Sequence, residues 1–150
     1  MKVVLQRVAE AAVRINDEVV GEISSGFVIL LGIETEDDES DIDWLTGKIS
    51  KLRVFSDEDG LMNYSINDIG GDALIISQFT LHAKTKKGTR PSFIYAARPE
   101  QAIPLYQEFI QSMKSLINGD VATGEFGADM QVSLINDGPV TLVIDSKNRV

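Results

Sequence analysis

Phe27-Val28-Ile29-Leu30-Leu31-Gly32-Ile33 is the stretch whose reading decides the fold. It is a continuous apolar run without alternation, and it predicts a central strand buried on both faces. Upstream, residues 2–8 and 11–16 alternate or run apolar with Val and Ile, as strands do. Asn16-Asp17-Glu18 is a turn signal, so Val19 to Ile23 is expected to pair back as a hairpin. Downstream, Glu34 to Asp43 carries seven acids and no base. Acids in a first turn complement the positive end of a helix. Ile42, Leu45, Ile49 and Leu52 then recur at helical spacing. Helix entry explains the acidic run better than a hard-metal loop, which needs a tight turn and a defined carboxylate geometry.

Arg53-Val54-Phe55 reads as a short strand and Asp57 to Gly60 as a turn. Gly70-Gly71 breaks the chain before a strong strand over Ala73 to Leu81, and residues 83–91 read as an exposed polar loop. Pro99 to Asn118 is the best helix, with an apolar stripe through Ile103, Tyr106, Phe109, Ile110, Met113, Leu116 and Ile117. Val121 to Thr123, Met130 to Ile135 and Val140 to Asp145 complete the strands. The expected fold is α/β, one domain over residues 1–150, with a largely antiparallel or mixed, barrel-like sheet and two main helices. No β-α-β rhythm repeats, which argues against a doubly wound nucleotide fold.

With 150 residues, 43% apolar and 25% charged, the chain has ordinary globular composition. It has no cysteine, which excludes disulfides, thiolate catalysis and cysteine zinc sites. That fits a cytoplasmic protein. No apolar run approaches the roughly 20 residues of a membrane span. Lys2 and Arg7 bring charge too early for a signal-peptide core, so the opening residues read as the first strand. The net charge of −9 argues against non-specific coating of nucleic acid, DNA included. Yet Lys84, Lys86, Lys87 and Arg90 fall together with no acid among them. That stretch is either a solvated loop or a local grip on an anionic partner.

The usual catalytic constellations are absent: no phosphate loop, no dinucleotide glycine pattern, no Gly-x-Ser-x-Gly elbow. The single histidine, His82, cannot build a multi-histidine metal site. A strand over 74–82 would put Ser77 on one face and Thr80 with His82 on the other. The β-carbons of Thr80 and His82 would lie about 6.6 Å apart, long for activation of a hydroxyl. His82 is expected to be a partly exposed strand-end residue. Asn136-Asp137-Gly138-Pro139 has the composition of a plain turn between two strands. It is also a candidate backbone-built site: a Gly-Pro step can be cis, and glycine allows close approach.

Several segments, in order along the chain, resemble the D-aminoacyl-tRNA deacylases. They are Gln6-Arg7-Val8, Met62-Asn63, Ser77-Gln78-Phe79-Thr80-Leu81, Lys87 to Phe93, Phe126 to Leu134, and Asn136-Asp137-Gly138-Pro139-Val140-Thr141. The resemblance implies a homodimer that cleaves the ester between a D-amino acid, or mischarged glycine, and the 3′-terminal adenosine of tRNA. It implies a site floor of Ser77, Gln78, Phe79 and Thr80 and a cis Gly138-Pro139 step reaching across the dimer. Arg7 and Met130 are expected beside the substrate, and Lys86, Lys87 and Arg90 on the tRNA. No metal or organic cofactor is implied. D and L forms carry the same groups, so only rigid placement about the α-carbon separates them. The expected chemistry is attack by water, with backbone N–H groups near Phe79 and Thr80 holding the oxyanion and the tRNA 2′-hydroxyl assisting. A Thr80 nucleophile and a non-catalytic RNA-binding dimer are the alternatives. The family often has tyrosine where this chain has His82, so His82 is left out of the catalytic set.

Overall fold

A computed structural model of the chain describes residues 1–150. The strands are β1 (Lys2–Ile15), β2 (Glu18–Ile23), β3 (Gly26–Gly32), β4 (Phe55–Ser56), β5 (Met62–Tyr64), β6 (Asp72–Ser77), β7 (Val121–Thr123) and β8 (Gln131–Asp145). The helices are α1 (Glu39–Lys51) and α2 (Pro99–Leu116). The main sheet runs β2-β1-β3-β6-β7, and β8 pairs with the other edge of β1. The pairs β1–β2, β1–β3 and β1–β8 are antiparallel, whereas β3–β6 and β6–β7 are parallel. Gly21 of β2 lies directly against the Thr123 carbonyl of β7, so the two ends of the sheet meet. The result is a nearly closed, barrel-like mixed sheet with two helices, as the sequence pattern implied. Neither helix is long and apolar enough to cross a membrane.

β3 is buried on both faces, and the two faces belong to different cores. Phe27, Ile29 and Leu31 join Val3 and Leu5 under Ile42, Leu45 and Ile49 of α1 and Phe109 and Met113 of α2. Val28 joins Val8, Val13, Leu74 and Ile76 in a second cluster on the opposite face. Helix α1 opens with Asp38 as its cap: the Ser40 amide donates to Asp38 at 2.9 Å, and Asp41 accepts from the Asp38 amide at 2.9 Å. The acidic run therefore does serve helix entry.

Five expectations need correction. β1 is one strand from Lys2 to Ile15, not two. The short strand begins at Phe55 rather than Arg53. The strand expected over 73–81 stops at Ser77, and Phe79–His82 is a single 3-10 turn. Side-chain alternation therefore does not extend to Thr80 and His82. His82 is 5% exposed, not a partly exposed strand end. The two strands expected at 130–135 and 140–145 are one strand, β8, interrupted by a bulge.

The end of β6 has a local cause. Gly32 closes β3, and a β-carbon there would stand 2.9 Å from both the Gln78 carbonyl oxygen and the Leu81 β-carbon. The missing side chain opens the space into which residues 78–82 fold. The Gln78 amide donates to the Leu31 carbonyl at 2.7 Å and starts the turn.

Candidate active site

The turn after β6 forms one wall of a cleft of about 310 Å³. Ser77, Gln78, Phe79 and Met130 line it, together with Ala102 of α2 and Phe126 and Asp129 of the segment before β8. Its walls are mainly apolar. The amides of Phe79 and Thr80 are the first N–H groups of the 3-10 turn, and no group of the chain accepts from them. Adjacent, unused donors on a rigid turn suit an anionic oxygen.

Thr80 is exposed, and its hydroxyl accepts a hydrogen bond from the Gln78 side-chain amide. His82 points elsewhere: its Nδ1 lies 3.6 Å from a Glu34 carboxylate oxygen, and its ring packs against Gly32. No base contacts Thr80, so the hydroxyl lacks the partner a covalent nucleophile needs. Tyr106 lies behind the wall. Its ring centroid is 5.7 Å from that of Phe126, and its hydroxyl donates to the Ile75 carbonyl at 3.2 Å. Burial pushes its phenol up to about 12, so it stays protonated near neutral pH.

The bulge in β8 is a second, separate construction. Gln6 pairs with Thr141 and Val8 with Asn136, so residues 137–140 loop out from a strand that keeps its partner on both sides. The Asn136 side-chain amide ties the neck by donating to the Arg7 carbonyl at 3.0 Å and the Val140 carbonyl at 2.9 Å. The Gly138-Pro139 peptide bond is cis, and both residues are exposed. Gly138 has φ +137°, where a side chain is strained. A β-carbon on it would stand 2.8 Å from Val140 Cγ2 and 3.0 Å from Arg7 Nη2. Arg7 is 8% exposed; it donates through Nε to the Asp137 carbonyl at 2.9 Å and through Nη1 to the Val54 carbonyl at 2.6 Å. One buried guanidinium thus fixes the bulge to the loop before β4.

The residues singled out in the sequence fall into three groups. Ser77, Gln78, Phe79 and Met130 share the cleft, with Thr80 at its edge. Arg7, Gly138 and Pro139 share the bulge, and none of them lines that cleft. Lys86, Lys87 and Arg90 sit on an exposed arm, and none has a carboxylate within ion-pair distance. Sequence reasoning missed Asn136 as the tie across the neck. The signal was an amide side chain immediately before Asp-Gly-Pro, a residue type that bonds readily to nearby backbone.

The chain matches the model of the D-Tyr-tRNA(Tyr) deacylase family over residues 4–145. It is 58% identical to a protein of Cytophaga hutchinsonii, 56% identical to one of Akkermansia muciniphila and 53% identical to one of Flavobacterium johnsoniae. Each alignment covers 99% of both chains, and each relative is named D-aminoacyl-tRNA deacylase. Among solved structures, one titled c-Myc DNA Unwinding Element Binding Protein superposes with TM-score 0.91 at 39% identity, covering 97% of this chain and 98% of the other. A probable eukaryotic D-amino acid tRNA deacylase superposes with TM-score 0.78, covering 95% and 97%; at 17% identity that likeness speaks to the fold alone.

Proposed function

The chain belongs to the D-Tyr-tRNA(Tyr) deacylase family, and on that footing we propose that it hydrolyses the ester joining a D-amino acid to the 3′-terminal adenosine of tRNA. Residues 1–150 act as one deacylase domain, in the cytoplasm, and mischarged glycine is a second substrate. The observation that carries the reading is the separation of cleft and bulge. The cleft offers an apolar seat and two unused amides, while the bulge offers exposed backbone that its own cleft does not receive. In a homodimer, each Gly138-Pro139 step completes the cleft of the partner subunit.

The terminal adenosine lies against the apolar wall of Ala102 and Phe126. Water adds to the ester carbonyl, and the amides of Phe79 and Thr80 hold the developing oxyanion. The bond from the carbonyl carbon to the ribose 3′-oxygen then breaks. The products are a free amino acid and tRNA with its 3′-hydroxyl restored. The neighbouring 2′-hydroxyl of the ribose assists proton movement, which suits a cleft without a side-chain base. Backbone carbonyls of the bulge bind the α-ammonium and leave no space for the side chain of an L residue. Glycine has no side chain to exclude and passes the same filter. Lys86, Lys87 and Arg90 meet the phosphates of the tRNA.

Incubating the pure protein with D-tyrosyl-tRNA and with L-tyrosyl-tRNA tests this directly. The D ester is expected to be cleaved and the L ester to decay at its spontaneous rate. Equal decay of both, unchanged by enzyme, would leave only an RNA-binding dimer.

A further inference from the structure

We infer that a strip from the mouth of the cleft to the basic arm is a track for unpaired RNA, namely the single-stranded nucleotides that precede the terminal adenosine. The identity of that RNA rests on the deacylase reading above; the strip itself does not.

The strip is continuous by direct contact. Phe79, at the cleft, is 53% exposed and stands edge-on to Phe93, with ring centroids 5.1 Å apart. Phe93 opens a tight turn closed by the Ala96 amide on the Phe93 carbonyl at 3.0 Å. The corners of that turn are Ile94 and Tyr95, which are 67% and 51% exposed. The Thr35 amide anchors the turn by donating to the Tyr95 carbonyl at 3.1 Å. Lys84 Nζ lies 4.8 Å from the centroid of the Tyr95 ring. Lys84 also pairs with Ser92 through backbone bonds of 2.8 and 3.0 Å, which fix the base of the arm. Beyond that base the arm carries Lys86, Lys87 and Arg90, all exposed.

Two features of this strip need a common explanation. Aromatic and apolar side chains face solvent at the corners of an anchored turn, where they support no core. Beside them stand cations that no carboxylate neutralises, in a chain of net charge −9. Acidic peptide would use the cations and ignore the rings. Duplex RNA offers phosphates but buries its base faces in its own stack. Unpaired RNA uses both, stacking bases on rings and setting phosphates on Lys and Arg. The strip also leads from the arm to the cleft, the path an unpaired 3′ end must follow to deliver its last nucleotide.

The test uses the full chain and a short RNA strand without an aminoacyl group, labelled at its 5′ end, read by fluorescence anisotropy at low salt. The single strand is expected to bind, and the same strand in a blunt duplex to bind at least roughly tenfold more weakly. Tyr95→Ala should weaken single-strand binding roughly tenfold, while Tyr95→Phe keeps it. Replacing Lys86 and Lys87 together by Ala should flatten the slope of log affinity against log salt by about 1.4. Wild-type binding by Tyr95→Ala, duplex bound as tightly as single strand, or no binding of the single strand would each overturn the track. The probe carries no ester, so these outcomes do not depend on hydrolysis. Strand binding without D-ester cleavage would sink the deacylase reading and leave the track standing.

Discussion

The turn at 78–82 and the bulge at 137–140 both interrupt a strand, but in opposite senses. At Ser77 the strand ends for good. The chain folds inward over Gly32 beside a cleft and leaves the amides of Phe79 and Thr80 without an acceptor. At Asn136 the strand leaves β1 and then rejoins it, so the backbone between is pushed outward while both flanks stay paired. The first interruption makes a concavity within its own chain. The second makes a convex piece of backbone, locked from behind by Arg7 and Asn136, that suits a receptor elsewhere. On the proposed function, a site assembled from these two parts would be stiff on both sides without any catalytic side chain.

The sharpest way to break this comparison is Gly138→Ala. Its β-carbon would enter a region already held by Val140 and Arg7, at a φ that disfavours side chains. We expect single-turnover cleavage of D-tyrosyl-tRNA to fall roughly 100-fold, as displacements of about 1 Å can cost. The strained φ should also lower stability in urea unfolding, by about 1 to 3 kcal/mol. Arg7→Met removes the lock rather than the tip and leaves the carbonyls of Asp137 and Val54 unpaired. Stability should drop by about 2 kcal/mol in urea melts, with activity falling less than in Gly138→Ala.

Thr80→Ala probes the other region. The hydroxyl has no base, so activity should stay within about tenfold of wild type. A loss of about 1000-fold or more would restore Thr80 as nucleophile. The smallest effect is expected in the first turn of α1, away from the bulge, where Asp41 meets Ser146 and Lys147 just beyond β8. Burial alone would raise the Asp41 carboxyl, but hydrogen bonds from Ser146, the Asp38 amide and Lys147 overcome it and hold it below the ordinary range. A lowered carboxyl stabilises the fold above the ordinary aspartate value, and that contribution is lost as pH falls below about 4. Asp41→Asn should cost about 1 kcal/mol at pH 7, flatten that acid limb of the stability curve, and leave selectivity between D and L esters unchanged.

Much of the fold was legible because burial on both faces writes a run without alternation, as in Phe27–Ile33, and burial on one helix face writes the stripe of α2. The end of β6 was not legible. Ala73 to Leu81 favours a strand throughout, and what stops it is the space left by Gly32, more than 40 residues earlier. The same fold-in buries His82, which looked like a strand-end residue. Turn-rich composition at 136–139 was read as a break between two strands. Asn136 instead bridges the neck so that β8 resumes along β1. The residues proposed for the site stand out in the sequence as motifs, but their division into cleft and bulge depends on contacts across the sheet.

The most direct test of the account is subunit complementation. One chain carries Gly138→Ala, which disables the bulge; the other carries Ala102→Trp, which fills the cleft. Each alone should be nearly inactive on D-tyrosyl-tRNA. If each site joins the cleft of one chain to the bulge of its partner, mixed dimers contain one intact site. An equal mixture after subunit exchange should then recover about a quarter of wild-type activity. Activity no greater than the sum of the two parents would contradict a site shared between subunits.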